Sequence, residues 1–460
     1  MNYIYLLLFS ELVLFLLAFF ISGQDILAPS SMFCAVFILS TSLAILNVDN
    51  WNIKYCFEAY WILTSGILVF VLAEWLVILL LRATPHKQKV IRNNLSRGRQ
   101  IIRVERWKVV AASAFNVICL VWQLWEIRKV VSSVTNPAMG PEAMGPELFF
   151  QYRSITSYNL VGSTELLMNP ILTQCLKVVM ALGIFGSFGL VNNVILLKQP
   201  LKKNIYFLFF LFSYILSDFM TGGRSSILQI AATTLIISYI LYHHAIGWGY
   251  VLSWKYIRIA FICLVVGLPV FYLALPLVGR STDKSLFDYI SAYMAGSIQH
   301  FNQYIQNPSP DAVVFGEESL VSLQSFFWKL GISDYHRISH LEYRALNYYM
   351  YGNVYTFFRR PLHDFGLGGM YLFTVIISSV FSWIYHAKIK YQYQSFKNDC
   401  TVLLYSFFYR WIAMGSIDQM STYLLSFGTA ISCVILVAVF WTMTRLRLVW
   451  GSKRKEVKNT

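Results

Sequence analysis

The sequence has little charge and lacks the common motifs of soluble enzymes. Charged residues make up 13% of the 460 residues and hydrophobic residues 57%, whereas ordinary soluble domains carry roughly 25% charged residues. No Walker loop, GxGxxG, DxD, GxSxG or CxxC motif is present, so the usual signatures of nucleotide or metal machinery are missing. These features disfavour a soluble multidomain protein and favour a single integral membrane domain spanning residues 1–460.

Paired cysteines and a cleavable leader are also missing. The seven cysteines lie mostly inside apolar runs and form no CxxC pair, which argues against a disulfide framework or a metal knuckle. The N-terminus has no positive region before its apolar run and no A-x-A site after it. We therefore predict a retained first helix.

Long apolar runs take up most of the chain. A run of about 20 residues crosses the hydrocarbon of a bilayer as a helix, because backbone polar groups cannot stay unpaired in lipid. We predict an all-α, polytopic membrane protein with about eleven transmembrane helices. The predicted spans are 2–22, 30–47, 57–81, 109–127, 171–196, 205–221, 226–246, 259–278, 368–386, 400–417 and 423–443.

The positive charges predict the orientation. The segment 82–108 contains nine Lys and Arg against one Glu, and the tail 444–460 is also basic. By contrast, 128–170 carries three basic and three acidic residues, and 279–367 carries seven basic and eight acidic ones. The positive-inside rule makes the basic segments cytoplasmic, so both long loops and the N-terminus face outward. It also accounts for the net charge of +15 without a nucleic-acid partner.

The large outer loop, 279–367, contains two amphipathic stretches. Apolar residues recur at helical spacing over 287–305 and again over 320–330. Such helices either lie on the membrane surface and roof a cavity or simply pack against other helices. The sequence leaves both readings open.

Two arginines stand beside small residues and hydroxyls at predicted outer ends of spans. Arg224 lies in the turn Gly222-Gly-Arg-Ser-Ser226, and Arg280 lies in Gly279-Arg-Ser-Thr282. Glycines allow close approach of a ligand, and the following helix N-terminus attracts anions. The two sites together suit a diphosphate, which Arg can grip bidentately without a metal.

Further ionisable residues precede or interrupt the late spans. Arg359, Arg360, His363 and Asp364 lie just before the ninth span; the two arginines either anchor to headgroups or bind substrate. Arg410 lies within the tenth span, where a charge must face the bundle interior or a wet cavity. Asp418 is its possible partner. Pairing with this carboxylate and substrate contact are both open for Arg410.

A metal site is not expected. His336 and His340 are four residues apart, but no HExxH motif and no third histidine accompany them. We predict no cofactor.

Several of these motifs together resemble one enzyme family. They are the Gly-Gly-Arg224-Ser-Ser turn, Gly279-Arg280-Ser, the run from Asn353-Val-Tyr-Thr to Asp364-Phe-Gly-Leu-Gly-Gly, and Asp25-Ile-Leu-Ala-Pro. With the topology, they make the chain similar to the Wzy-type oligosaccharide repeat-unit polymerases of O-antigen and capsular polysaccharide assembly. The third motif is the most diagnostic of the four.

The resemblance implies a metal-independent glycosyltransferase in the bacterial cytoplasmic (inner) membrane. It would join undecaprenyl-diphosphate-linked oligosaccharides at the outer face, with membrane lipids, a chain-length regulator and a flippase as candidate partners. Arg224 and Arg280 would bind the diphosphate and Asp364 would activate the acceptor, with His300, Glu342 and His363 as rival bases. Further substrate contacts would be Arg359, Arg360, Arg410, His300 and His363.

Two other functions fit the same sequence features. An O-antigen ligase has similar topology and also needs outer-face arginines and a base. A transporter or flippase of lipid-linked sugar would instead carry charged residues along a central path through many spans. We expect the charges to concentrate at the outer ends of the spans, with Arg410 as the main exception.

Overall fold

The computed structural model describes residues 2–83, 99–134, 146–158, 168–222, 225–248, 272–273, 285–332, 341–348, 350–390 and 394–446. Within these ranges, six helical stretches are long and apolar enough to cross a membrane. They are Ile4–Ile21, Phe57–Arg82, Arg106–Ser133, Pro170–Leu196, Arg359–Ile389 and Phe427–Thr444. A helical membrane protein is confirmed, and the count of eleven crossings stays a prediction.

In the first half of the described chain, all regular secondary structure is helical. Its α-helices are α1 Ile4–Ile21, α2 Pro29–Ile45, α3 Phe57–Arg82, α4 Arg106–Val134, α5 Pro146–Tyr158, α6 Pro170–Gly189, α7 Ile205–Met220 and α8 Ser225–Ile246. A π-helical turn, Leu190–Leu196, extends α6, and a short 3-10 turn, Leu201–Lys203, precedes α7. The helices α2 and α7 are apolar but shorter than the six long stretches.

The second half combines loop helices with further apolar helices. They are α9 Leu286–Gln306, α10 Val321–Lys329, α11 Arg359–Trp383, α12 Phe396–Phe408, α13 Arg410–Ala413, α14 Ser421–Leu424 and α15 Phe427–Thr444. A π-helical turn, Ile384–Ile389, extends α11. An antiparallel hairpin joins β1 Arg344–Asn347 to β2 Met350–Gly352. The purely α-helical prediction missed this small hairpin.

The helices pack into one body with two distinct ends. In one group, α1 and α2 pack together and α3 packs against α11; in another, α6 packs against α7 and α15. One apolar core runs through both groups. We call the end that contacts residues 285–332, 341–348 and 350–358 the loop face. The opposite end, where α3 stops at Arg82 and α15 stops at Thr444, we call the basic face.

A buried carboxylate ties three segments together at the basic face. Asp25 accepts hydrogen bonds from the hydroxyls of Tyr239, at 2.7 Å, and Tyr385, at 2.8 Å. The Lys390 ammonium lies 3.1 Å from the same carboxylate. The motif that includes Asp25 therefore connects the α1–α2 turn to α8 and to the end of α11.

The first amphipathic loop helix is inserted into the fold. In α9 every residue from Ala295 to Asn302 is buried, because α2, α3 and the hairpin surround it. The Ser40 hydroxyl on α2 donates to the carbonyl of Met294 at 2.7 Å. The Asn302 carboxamide oxygen accepts the backbone N–H of Cys56 at 3.0 Å. The structure thus favours packing over the surface-lying alternative for this helix.

Three predicted span boundaries need correction. The helix α11 begins at Arg359 instead of 368, and it contains a non-helical kink at Gly366, with φ +66°. The span predicted over 400–417 is divided between α12 and the short α13. The span predicted over 423–443 starts at Phe427, after the separate short α14. The span predicted over 259–278 lies almost wholly outside the described residues.

Candidate functional site

Arg359 is the centre of a buried charge cluster at the loop face. Its side chain is completely buried in the first turn of α11. One guanidinium nitrogen pairs with the Glu318 carboxylate, and the other lies 2.8 Å from the Glu342 carboxylate. The rings of Tyr304 and Tyr355 flank the guanidinium, with centroids at 4.5 and 5.2 Å. The charge of the desolvated cation is therefore balanced by two carboxylates, although its Nε has no hydrogen-bond partner among the described residues. The cation links three separate loop segments.

Arg344 extends this cluster to the end of α9. Its guanidinium donates to the carbonyls of Gln303, at 2.9 Å, and Asn307, at 2.7 Å. The Asn307 carbonyl lies just past the last helical residue, whereas the Gln303 carbonyl also accepts the backbone N–H of Asn307 at 3.0 Å. The same guanidinium lies 3.4 Å from Glu342. Arg344 thus caps α9 and fixes β1 against it.

The neighbours of Arg359 are also engaged with the loop. Arg360 donates to the Glu318 carbonyl at 3.1 Å and lies 3.9 Å from the Asp418 carboxylate. His363 Nε2 lies 3.3 Å from Glu317 and 3.6 Å from Glu318. Because these side chains contact protein carboxylates and a carbonyl, snorkelling to lipid headgroups does not describe Arg359 or Arg360 here. Their role in binding substrate stays a prediction.

Asp364 holds the loop segment opposite α11. Its two carboxylate oxygens accept the backbone N–H groups of Glu318, at 3.2 Å, and Ser319, at 2.6 Å. An ionised carboxylate has about four lone-pair sites, so two bonds leave it able to accept another proton. The geometry gives Asp364 a positioning role and leaves the predicted role as base untested.

His300 is a buried neutral imidazole in the middle of α9. Its Nδ1 lies 3.0 Å from the Val354 carbonyl, an acceptor that requires Nδ1 to carry the proton. Its Nε2 is buried and has no hydrogen-bond partner among the residues that the structure describes. Burial is the main cause that lowers the pKa of His300 to about 4. An uncharged ring suits this packed position, and the histidine fixes the hairpin against α9.

Arg410 has very different surroundings. It starts α13, directly after α12 ends, and is partly buried. Its guanidinium donates to the Gln229 side chain on α8 and stands 4.5 Å from the centroid of Phe407. None of the ion pairs in the described part of the chain includes Arg410. Asp418, its expected partner, pairs with Arg360 instead.

The arginines of the two glycine motifs, Arg224 and Arg280, lie outside the described residues. Gly222, the first residue of the Gly222-Gly-Arg-Ser-Ser226 motif, has φ +68°. A Cβ at this position would lie 2.8 Å from the Phe149 carbonyl oxygen. Arg153 donates to the carbonyl of Gly222 at 3.0 Å. The helix α5, from the other long loop, therefore packs directly on the start of this turn.

Sequence reasoning missed several members of the site. Arg153 and its helix could have been found from the apolar spacing of Leu148, Tyr152 and Ile155. The acidic pair Glu317-Glu318 was visible in the sequence, but nothing there indicates which arginine it meets. Within the described ranges, no three His, Cys, Asp or Glu side chains cluster as metal ligands would. The His336–His340 pair lies outside those ranges.

Two buried carboxylates also lie within the long apolar helices. Glu11 on α1 accepts the Thr41 hydroxyl at 2.9 Å. Glu74 on α3 accepts the backbone N–H of Ser30 and lies 2.6 Å from His386 Nε2. Both glutamates are completely buried. The expectation that the charged residues concentrate at the loop-face ends of the spans is wrong for these two helices.

Comparisons of the chain with protein-family models, curated proteins and solved structures found no match.

Proposed function

We propose that the chain is a glycosyltransferase that polymerises undecaprenyl-diphosphate-linked oligosaccharide repeat units at the outer face of the bacterial cytoplasmic membrane. The loop face would be the outer face, with the N-terminus outside and the C-terminus in the cytoplasm, as the basic segments predict. Eleven crossings accommodate this orientation.

The observation that carries the proposal is the environment of Arg410. Among the described residues, Arg410 has an amide and an aromatic ring as partners and no carboxylate within ion-pairing distance. A cation in such surroundings keeps its charge available for an anion. Its partner Gln229 lies in the first turns of α8, which begins at Ser225, the residue after Arg224 in the sequence. The diphosphate of a lipid carrier is an anion that such a cation would attract.

The reaction needs charge stabilisation and a proton acceptor. An acceptor hydroxyl attacks the anomeric carbon, the bond from that carbon to the diphosphate breaks, and the lipid diphosphate leaves with the bonding electrons. Arg224, Arg280 and Arg410 would stabilise the charge that develops on the leaving group. Asp364 would accept the hydroxyl proton with the lone pairs that its two backbone hydrogen bonds leave free.

The cluster around Arg359 would then support the site. Its cations are matched by Glu317, Glu318 and Glu342, so it offers little net attraction for a diphosphate. By fixing the segment from Glu317 to Ser319, it holds Asp364 in one position. In this proposal Arg359, Arg360 and His363 position the base.

A transporter of lipid-linked sugar is the second candidate, favoured by Glu11 and Glu74. Buried carboxylates inside apolar helices are typical of ion-coupled transport as well as of structural pairing. Both glutamates have hydrogen-bond partners within the bundle, which structural pairing also explains. The two functions differ in their product, so one experiment separates them.

The test is reconstitution of the full-length chain with lipid-linked repeat units extracted from the producing cells. Polymerase function predicts lengthening of the glycan without nucleotide or added metal. Movement of units across the bilayer without lengthening would support the transporter and contradict the proposal. Transfer only to added lipid A core, without lengthening, would identify a ligase.

Variants of the glycine motifs sharpen this experiment. Arg224→Lys and Arg280→Lys should lose most lengthening at unchanged folded yield, because Lys cannot supply the planar fork that grips a diphosphate. Lys397→Gln, an exposed cation on α12, is the matched control and should lengthen glycan normally. Wild-type chain length in both arginine variants would remove these residues from the site.

A further inference from the structure

A recess opens at the basic face, far from the charge cluster around Arg359. It lies between the extended segment that precedes α4 and the turn that follows the π-helical end of α6. Its volume is about 540 Å³, and the described residues that line it are Arg99, Gln100, Ile101, Arg103, Leu197 and Gln199. We call it the basic-face recess.

Two buried asparagines hold the walls of the recess together. Asn192 donates to the Gln100 carbonyl at 3.0 Å. Asn193 accepts the backbone N–H of Ile102 at 2.9 Å and donates to the Ile102 carbonyl at 2.8 Å. The backbone N–H of Gln199 also donates to the Asn193 carbonyl, at 2.9 Å. These bonds form without any ligand, so the recess is preorganised.

Arg99 has an unsatisfied donor group at the recess. Its side chain is 3% exposed, its Nε donates to Asn192 at 2.6 Å and its Nη2 lies 3.1 Å from the Asp399 carboxylate. Its Nη1 is buried and has no hydrogen-bond partner among the described residues. Buried guanidinium nitrogens are usually bonded in folded proteins, so the free Nη1 is a candidate donor to an acceptor bound in the recess.

The recess has a net positive charge. Asp399 balances Arg99, whereas Arg103 is exposed and has no ion-pair partner in the described part of the chain. The sequence between Ala83 and Arg99 contains no Asp or Glu that could neutralise it. Two guanidinium groups and the amides of Gln100 and Gln199 are suitable donors for phosphate oxygens.

Exposed aliphatic side chains include Ile101, which lines the recess, and others close in sequence to the lining residues Leu197 and Gln199. Ile101, Ile195 and Leu201 are 40%, 43% and 46% exposed, and Ile205 at the start of α7 is 61% exposed. In a chain of this composition, exposed aliphatic side chains beside a helix start indicate contact with hydrocarbon. An anion bound here would lie where the lipid headgroups meet the acyl chains.

We propose that the basic-face recess binds the phosphate of an anionic phospholipid from the adjoining leaflet. Arg99 Nη1 and the Arg103 guanidinium hold the phosphate, and the acyl chains lie against the exposed aliphatic side chains. A bound lipid here would link the segment before α4 to the start of α7. This site is independent of the glycosyltransferase proposal.

The test is native mass spectrometry of the full-length chain in detergent, titrated with phosphatidylglycerol. Arg103→Gln should weaken the tightest lipid adduct about tenfold, as expected for one lost charge-assisted hydrogen bond. Arg106→Gln, an exposed arginine at the start of α4, is the control and should bind as the wild type does. Equal lipid binding by both variants would overturn the proposal.

A second variant and a competition experiment test which group binds the ligand and whether the ligand is a lipid. Arg99→Lys keeps a cation beside Asp399 but removes Nη1 and the Nε hydrogen bond to Asn192. It should weaken lipid binding, and the thermal midpoint measured beside it gives the separate cost of the lost Asn192 bond. Inorganic phosphate at millimolar concentration should not displace the phosphatidylglycerol adduct. Displacement by phosphate alone would identify a site for a soluble anion and would overturn the assignment to a lipid.

Discussion

Arg359 begins helix α11 and Arg410 begins helix α13, and the two arginines have opposite surroundings. Arg359 is fully buried between the carboxylates of Glu318 and Glu342 and two tyrosine rings. Arg410 contacts the amide of Gln229 and the ring of Phe407 and belongs to none of the described ion pairs. A compensated arginine stabilises the fold, whereas an uncompensated one retains its attraction for an anion.

Substitutions around Arg359 and at Arg410 should therefore have different effects. Changes in the cluster around Arg359 should lower stability and affect ligand binding only through the fold. Changes at Arg410 should weaken binding of a diphosphate and leave stability nearly unchanged. Four variants or conditions test this separation.

The largest effect is expected for Arg359→Met. Removing one partner of a buried ion pair leaves the buried Glu318 carboxylate without its guanidinium partner, which costs about 3–5 kcal/mol. We expect a large fall in folded yield and in the thermal midpoint measured in detergent. Arg360→Gln is the adjacent control, because Arg360 has only a carbonyl and a carboxylate 3.9 Å away. Equal stability losses in the two variants would contradict the central role of Arg359.

The pH dependence of stability tests His300. Its folded pKa is lowered from 6.5 to about 4, so the unfolded chain binds more protons between these values. Stability is therefore complete above about pH 6.5 and is lost as the pH falls toward 4, by at most roughly 3 kcal/mol. Thermal midpoints of wild type and His300→Gln over this range check the prediction. An identical pH profile in the variant would show that His300 is not the group responsible.

Arg410→Gln should weaken binding of undecaprenyl diphosphate about tenfold or more. The reason is the loss of a charge-assisted hydrogen bond to phosphate, about 1.5–3 kcal/mol. Binding to the protein in nanodiscs and the thermal midpoint are measured together. Lys397→Gln, on the preceding helix α12, is the control. If Arg410→Gln instead lowers the midpoint as strongly as Arg359→Met does, Arg410 is structural and the comparison fails.

The smallest stability effect is expected for Asp364→Asn. The amide oxygen of Asn can still accept the backbone N–H of Ser319, but one of the two hydrogen bonds is lost, about 1 kcal/mol. Lengthening activity should nevertheless fall far more than this, because Asn cannot accept a proton. Full turnover by this variant would leave Asp364 with a positioning role alone.

The apolar helices were predictable, because a run of about 20 apolar residues has few other stable solutions in a membrane. The runs over 57–81 and 205–221 match α3 and α7 closely. The start of α11 was predicted nine residues late, because the run from Arg359 to Asp364 is polar and Gly366 interrupts it. Apolar periodicity also predicted α9, since Ile298 and Phe301 recur at helical spacing.

The pairings within the site could not be predicted from the sequence. Arg359 meets Glu318, 41 residues away, and Arg360 meets Asp418, which the sequence offered only as a possible partner of Arg410. Local periodicity contains no information on which loop folds over which helix. The ionisable residues were visible in the sequence. Which of them have an ion-pair partner depends on tertiary contacts.

The most direct test of the account is the lengthening rate of reconstituted Arg410→Gln protein, measured per folded molecule beside wild type and Lys397→Gln. The account predicts a fall of about 10²-fold or more, as for loss of one preorganised donor to a developing charge, with a thermal midpoint close to that of the wild type. A wild-type lengthening rate in Arg410→Gln would contradict the claim that the uncompensated arginine serves the lipid diphosphate.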